Sequence, residues 1–162
     1  KRRWYKTHHL VKKISNDFIE FKIKEKKYTS NKENHYKKII EGMFDVIEKR
    51  TAQNSKINGI DVVGKTGTAE NFIKIKGKRS QLTDHSIFIG FAPKENPKIA
   101  IAVFIENGYW GTRWAAPIAS LMMEKYLKKE VKRKYLENYI LNGNLMQEYL
   151  KPYTKNNFSI NE

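Results

Sequence analysis

Cysteine is absent from all 162 residues. That excludes disulfides and thiolate metal sites, but it leaves the compartment open, because exported proteins can also do without cysteine. No run of about 18 apolar residues occurs, so no stretch is built to cross a bilayer as a helix. No secretory leader is visible. The chain opens on Lys1 rather than Met, and the expectation is a piece of a longer polypeptide whose leader or anchor lies upstream. Arginine is also scarce, 6 residues against 26 lysines in a chain of net charge +15. Such a charge invites a nucleic-acid reading, yet the planar fork that suits phosphates and base edges is the one in short supply. A solvated, lysine-coated surface is the plainer explanation, and an anionic membrane or cell-wall polymer would suit the same charge.

What is present alternates between two periods. "DFIEFKIK" (Asp17–Lys24) alternates apolar and charged residues as a half-buried strand does, and with "HLVKKI" before it predicts a small hairpin. The stretch that follows places Tyr36, Ile39, Ile40, Met43, Val46 and Ile47 on one helical face, with Ser30 and Glu33 as a capping box. Asn58-Gly59 predicts a turn into the strand "VVGKTGTAE". "GKRSQLTD" (Gly77–Asp84) reads as a loop. "HSIFIGFAP" and "KIAIAVFIENG" read as strands apolar on nearly every residue, hence central and covered on both faces. Together the three strands predict an antiparallel meander. "WAAPIASLMMEKYL" predicts an apolar helix that tolerates Pro117 in its first turn and lies close to the sheet through Ala115, Ala116 and Ala119. A more polar helix with Tyr135, Leu136, Tyr139 and Ile140 follows, then a loosely held tail. No repeat or low-complexity linker divides the chain, so residues 1–162 are expected to form one unit of α+β class, antiparallel strands packed against helices.

The chemistry concentrates in "GKTGTAE" (Gly64–Glu70). On an exposed strand edge, Gly64 and Gly67 would keep side chains off the backbone and let an extended peptide pair with it. Thr66 and Thr68 would share one face, two hydroxyls suited to a carboxylate, while Lys65 points to the other. A backbone N–H in the same space would hold a developing oxyanion. A Lys-Thr-Gly triplet alone is a weak signal in so lysine-rich a chain, but the longer string beside strands and a packing helix is far rarer. A second reading is open: "GIDVVGKT" (Gly59–Thr66) satisfies the phosphate-loop pattern in full. Its surroundings argue otherwise, since "TAQNSKIN" before it is polar, its interior is β-branched, and Gly67 would be a poor start to a helix. His8, His9, His35 and His85 show no ligand spacing and read as surface or hydrogen-bonded residues, and no metal site is expected; Asp84 reads as a turn cap, and Trp110 and Trp114, either side of Gly111, as residues packed against the helix, with a place on the cleft rim as the alternative.

The strings "GKTGTAE", "DHSIFIGFAPKENPKIAIAVFIENG" and "AAPIASLMMEKYL" resemble the C-terminal part of the transpeptidase domain of class B penicillin-binding proteins, in particular the elongation-type penicillin-binding protein 2 branch. "THHLVKKI" is similar to that family's Thr-Pro-His-Leu-Val stretch with His8 at the proline, and "RKYLENYILNGNLMQEYLKPY" to a C-terminal extension of Bacteroidetes-like members. The resemblance implies the β-lactamase/transpeptidase-like fold and a serine D,D-transpeptidase that cross-links peptidoglycan stem peptides and is acylated by β-lactams. It implies Lys65 as the motif lysine, Thr66 and Thr68 as carboxylate binders, the Thr68 N–H as an oxyanion donor and Gly67 as the open position. It implies no cofactor and no nucleic acid, a membrane glycosyltransferase as partner, and a place on the periplasmic face of the cytoplasmic membrane. No serine here is followed by lysine three residues on, and the sole Ser-x-Asn is Ser159-Ile160-Asn161 in the tail. The nucleophile, the second wall and two further strands are therefore expected upstream of Lys1, and this chain alone is expected to be inactive. A β-lactamase or β-lactam sensor, and a basic nucleic-acid module, are the rival readings.

Overall fold

The computed structural model describes residues 4–5, 13–14, 17–18, 27–28 and 32–146. The chain divides into two compact units, Lys1–Ile40 and Glu41–Glu162. In the first, β1 (Trp4–Tyr5) pairs antiparallel with β4 (Lys27–Tyr28), and β2 (Lys13–Ile14) with β3 (Asp17–Phe18). The β2–β3 pairing lies where the sequence predicts a hairpin; most of the alternating stretch after Phe18, like Ser30 of the capping box, His8, His9 and the tail serine, lies outside the described residues. Helix α1 (Glu33–Glu48) runs out of this unit into the second.

The second unit is built on three antiparallel strands in the order β5 (Val63–Ala69), β8 (His85–Ala92), β9 (Ile99–Ile105). Their registers set two faces. Ser86, Phe88, Gly90 and Ala92 of β8 lie opposite Ile105, Val103, Ile101 and Ile99 of β9. On that face packs α2 (Ala115–Lys128), whose Ala115, Ala116 and Ala119 are wholly buried together with Phe88, Ala92, Ile47, Ile57 and Met123. Small residues at these positions let the helix backbone approach the sheet, as the sequence predicts, and the buried Phe88 ring alone contributes about 1.5–3 kcal/mol. Pro117 is accommodated because a first-turn N–H has no partner within the helix.

Coverage on both faces is not observed among the described residues. The second face carries Ile87, Ile89 and Phe91 opposite Phe104, Ala102 and Ala100, and Ile89 and Phe104 are 50% and 54% exposed. The strands read as continuously apolar because both faces are apolar; only one is filled by α2. β9 is thus an edge of this described sheet, not a central strand.

The expected loop at Gly77 is also corrected. β6 (Phe72–Ile75) and β7 (Lys78–Gln81) form a two-residue hairpin. Lys76 and Gly77 both take positive φ, 50° and 77°, which is what a type I′ turn needs to match strand twist. Glycine supplies this freely, but a lysine in that role gives no turn signal, and β7, Lys-Arg-Ser-Gln, is too polar to read as a strand. Beyond α2, α3 (Lys134–Leu141) buries Leu136 and stacks Tyr139 on Trp114 at 5.3 Å. Arg133, just before α3, donates to Glu124 of α2 at 3.0 Å, and both side chains are largely buried.

Candidate functional site

β5 carries the Lys-Thr-Gly string, and among the described residues it pairs with β8 alone, so its outer edge is free. The phosphate-loop reading fails here on geometry: Lys65 and Thr66 lie in mid-strand, where a phosphate loop would open a helix.

Register fixes which way each residue faces. Thr66 lies opposite Phe88 and Thr68 opposite Ser86, on the α2 face; Lys65 lies opposite Ile89 on the other. The two hydroxyls therefore do share a face with the lysine opposed, as strand periodicity requires. Lys65 and Thr68 are exposed, and Thr66 and Gly67 are half-buried. The Lys65 ammonium folds back to donate to the Thr66 carbonyl at 2.7 Å, keeping the cation beside the strand edge.

The two glycines differ in kind. A Cβ on Gly64 would lie 2.2 Å from Cζ of Phe88, so Gly64 is bare to admit a core ring and not to admit a ligand. This corrects the expectation for that residue. A Cβ on Gly67 would meet Ile87 at 3.4 Å, an ordinary contact. Nothing in the packing forces glycine there, which leaves the openness of the strand edge as its distinguishing property.

Two further residues escape a reading by motif. Ser86, wholly buried in β8, donates its hydroxyl hydrogen to the Trp110 carbonyl at 2.8 Å and accepts from the Ala115 N–H at 3.2 Å. Gly111 presses onto the site from the segment between β9 and α2: a Cβ there would lie 2.3 Å from the Ile87 carbonyl oxygen, 2.8 Å from that of Gly67 and 2.9 Å from Cβ of Thr66. Its own carbonyl accepts the Ala116 N–H at 2.8 Å at the start of α2. The segment is fixed at several points. Asn107 and Tyr109 take left-handed backbones, φ 51° and 60°, which side chains of Tyr size rarely adopt. Asn107 donates its N–H to Nδ1 of His85 at 3.1 Å and accepts from the Asn71 amide at 2.7 Å. The Tyr109 N–H donates to the Asp84 carbonyl at 2.9 Å, and the Asp84 carboxylate accepts from the Asn71 N–H at 3.2 Å. His85 is thus a hydrogen-bonded residue, as expected, whereas Asp84 does more than cap a local turn: its carboxylate accepts from the distant Asn71 N–H and from the Gln81 amide at 2.9 Å. Trp114 is buried, while Trp110 is 38% exposed. The signal for Ser86 was present as one hydroxyl in the buried period-two row of β8; nothing local marks Gly111.

A model of the family described as penicillin binding protein transpeptidase domain matches residues 4–124. Peptidoglycan D,D-transpeptidase MrdA of Acinetobacter baumannii is 37% identical over 123 residues, covering 71% of this chain and 18% of that protein. Peptidoglycan D,D-transpeptidase PbpA of Mycobacterium tuberculosis is 38% identical over 89 residues, 51% of this chain and 17% of its own length. The chain thus spans less than a fifth of these two relatives. Among solved structures, Pseudomonas aeruginosa PBP2 aligns over 83% of this chain and 28% of its own, with TM-score 0.55 and 26% identity. The ceftriaxone acyl-enzyme complex of M. tuberculosis penicillin-binding protein A aligns over 65% and 24%, with TM-score 0.54 and 31% identity. The helices and antiparallel strands are those of the β-lactamase/transpeptidase fold. With most of its length matched to one domain family, and the Lys-Thr-Gly string on a strand edge unpaired among the described residues, the chain belongs to the penicillin-binding protein transpeptidase family.

Proposed function

We propose that residues 1–162 are the C-terminal portion of a D,D-transpeptidase domain, and that they supply the Lys-Thr-Gly wall of a site that cross-links peptidoglycan stem peptides. The observation that carries this reading is the placement of Lys65, Thr66, Gly67 and Thr68 on an edge strand whose outer side is unpaired among the described residues, in a chain whose relatives are named peptidoglycan D,D-transpeptidases.

The donor peptide pairs with the outer edge of β5 through main-chain hydrogen bonds, which Gly67 leaves unobstructed. Thr66 and Thr68 donate hydroxyl hydrogens to its terminal carboxylate, and Lys65 adds positive charge beside it. A serine attacks the scissile carbonyl, and the Thr68 N–H holds the oxygen that becomes negative, worth roughly 3 kcal/mol in comparable sites. The C–N bond breaks, the terminal residue leaves as an amine, and the acyl group remains as a serine ester. An amine from a second stem peptide then attacks that ester and frees the serine. The serine belongs to the part of the relatives' length that this chain does not span, since no Ser-x-x-Lys occurs in the sequence. A β-lactam enters as a carboxylate-bearing mimic of the donor and stops at the ester.

Finer expectations follow from the same reading. The substrate polymer lies outside the cytoplasmic membrane, so the whole protein works at its outer face, held by an anchor beyond these residues. A membrane glycosyltransferase is the partner that provides fresh strands; one structural neighbour is the D,D-transpeptidase domain of a peptidoglycan glycosyltransferase from Eggerthella lenta. The named relatives favour this reading over a β-lactamase or a nucleic-acid module. Intact-mass spectrometry of the full-length protein after exposure to penicillin tests it. One long-lived penicilloyl adduct is expected. Rapid loss of the adduct by hydrolysis would point to a lactamase, and no adduct at all would reject the reading.

A further inference from the structure

Gly111 and Ser86 stand out because they touch the backbone of the Lys-Thr-Gly wall without offering anything to a ligand. Gly111 rests on the α2 face of the β5–β8 ladder, against the Gly67 and Ile87 carbonyl oxygens and Cβ of Thr66. Ser86 lies directly opposite Thr68. Its hydroxyl is buried and bonded on both sides, to the Trp110 carbonyl and the Ala115 N–H. Those two bonds bracket Gly111 in sequence and, with the bond from the Asn54 amide to the Thr112 carbonyl at 3.1 Å, tie the segment down over β5. The outer edge of β5 has no ladder partner among the described residues, and Gly111 contacts the strand at Thr66 and Gly67, beyond its buried start at Val63 and Gly64. The left-handed backbones of Asn107 and Tyr109, each held by a hydrogen bond to the start of β8, leave the segment little room to shift.

We propose that Ser86 and Gly111 form a clamp that positions the Thr66–Thr68 backbone, so that the carboxylate-binding hydroxyls and the Thr68 N–H keep their spacing. Both are positioning residues and neither touches substrate. The inference rests on the transpeptidase reading above. A displacement of about 1 Å in a positioned group can cost on the order of a hundredfold in rate, and loss of the Ser86 hydroxyl removes both of the bonds it makes to the segment.

The test uses the full-length protein and compares acylation by a penicillin with acylation by its methyl ester. The wild type should strongly prefer the free carboxylate. Ser86→Ala is expected to slow acylation by the free acid about tenfold or more and to narrow the acid-to-ester ratio, with a fall in melting temperature similar to that of Ser120→Ala. Ser86→Cys, which keeps the bulk and weakens the donor, should fall between and covers the case in which the alanine variant folds poorly. Ser120→Ala serves as control: it also removes a buried hydroxyl from α2, but away from β5. Ser86 variants with an unchanged rate and ratio, while the wild type forms its adduct, would overturn the clamp and leave the transpeptidase reading standing. Equal losses for acid and ester, matched by Ser120→Ala, would reduce Ser86 to a stability residue and also overturn it. A wild type that forms no adduct would overturn both.

Discussion

Two antiparallel ladders are nested in the chain, β6–β7 lying within the connection from β5 to β8, and they are held by opposite means. β5–β8 is locked from within: Phe88 fills the space where Gly64 has no side chain, Gly111 lies on the Gly67 carbonyl, and α2 covers the face. β6–β7 is held by its own turn. Every residue of β7 is exposed, Phe72 is 43% exposed beneath the Arg79 guanidinium at 3.7 Å, and Lys74 sits directly opposite Arg79. Like charges across a ladder are unfavourable, so the hairpin is shaped by turn chemistry against its own electrostatics. The lesson concerns where accurate chemistry can be placed. A site needs its backbone held to a fraction of an ångström by packed neighbours, and of these two ladders only β5–β8 offers that.

The comparison is sharpest at the two phenylalanines. Phe88→Ala is expected to destabilise the protein by about 3–5 kcal/mol through a buried cavity, whereas Phe72→Ala should change stability by about 0.5 kcal/mol. Urea unfolding monitored in parallel on both variants measures the contrast, and equal losses would break it. The glycines separate next. Gly64→Ala should cost about 1–3 kcal/mol by overpacking against Phe88. Gly77→Ala should cost about 1–2 kcal/mol with nothing in contact, because its φ of 77° is left-handed. Gly77→Asn should recover most of that loss, since Asn tolerates the left-handed region, while Gly64→Asn should be worse than alanine. Smaller still is the exposed Arg79–Glu70 pair at 2.9 Å: Glu70→Gln should cost roughly 0.2–1 kcal/mol at low salt and less at high salt. Last comes Lys94, whose pKa is raised above the ordinary lysine range because Glu41 accepts from its ammonium at 2.7 Å. A raised folded pKa means this contribution is fully present at neutral pH and fades as pH climbs through the alkaline lysine range. Melting curves from about pH 9 to about pH 12 should show a small decline that Glu41→Gln reduces and does not remove, since Glu95 and Asp61 also raise the Lys94 pKa.

How much was legible in the sequence follows the same division. The Lys-Thr-Gly strand, β8, β9 and the alanine-faced helix could be read because burial demands apolar or small residues, as at Phe88, Ala92 and Ala119. The opposition of Lys65 to Thr66 and Thr68 follows from the alternation of side chains along a strand. The β6–β7 hairpin was illegible because Lys76 occupies a turn position normally marked by Asn, Asp or Gly, and because β7, Lys-Arg-Ser-Gln, has no β-branched or aromatic residue. The exposed second face of the sheet was misread because an apolar side chain looks the same in sequence whether or not anything covers it. Gly64 was misassigned for a related reason: an absent side chain does not say what fills its place, and here it is a ring 24 residues further along the chain. Ser86 and Gly111 meet β5 only through tertiary contact, which no local spacing encodes.

The most direct test of the Lys-Thr-Gly wall removes its hydroxyls and keeps its shape. Thr66→Val and Thr68→Val, combined in the full-length protein, should leave the melting temperature near that of the wild type. Acylation by a carboxylate-bearing penicillin should fall by at least about tenfold, as expected for the loss of hydrogen bonds to a charged group. Acylation at the wild-type rate, in a protein that folds normally, would show that these threonines do not bind the carboxylate and would contradict the role assigned to this strand.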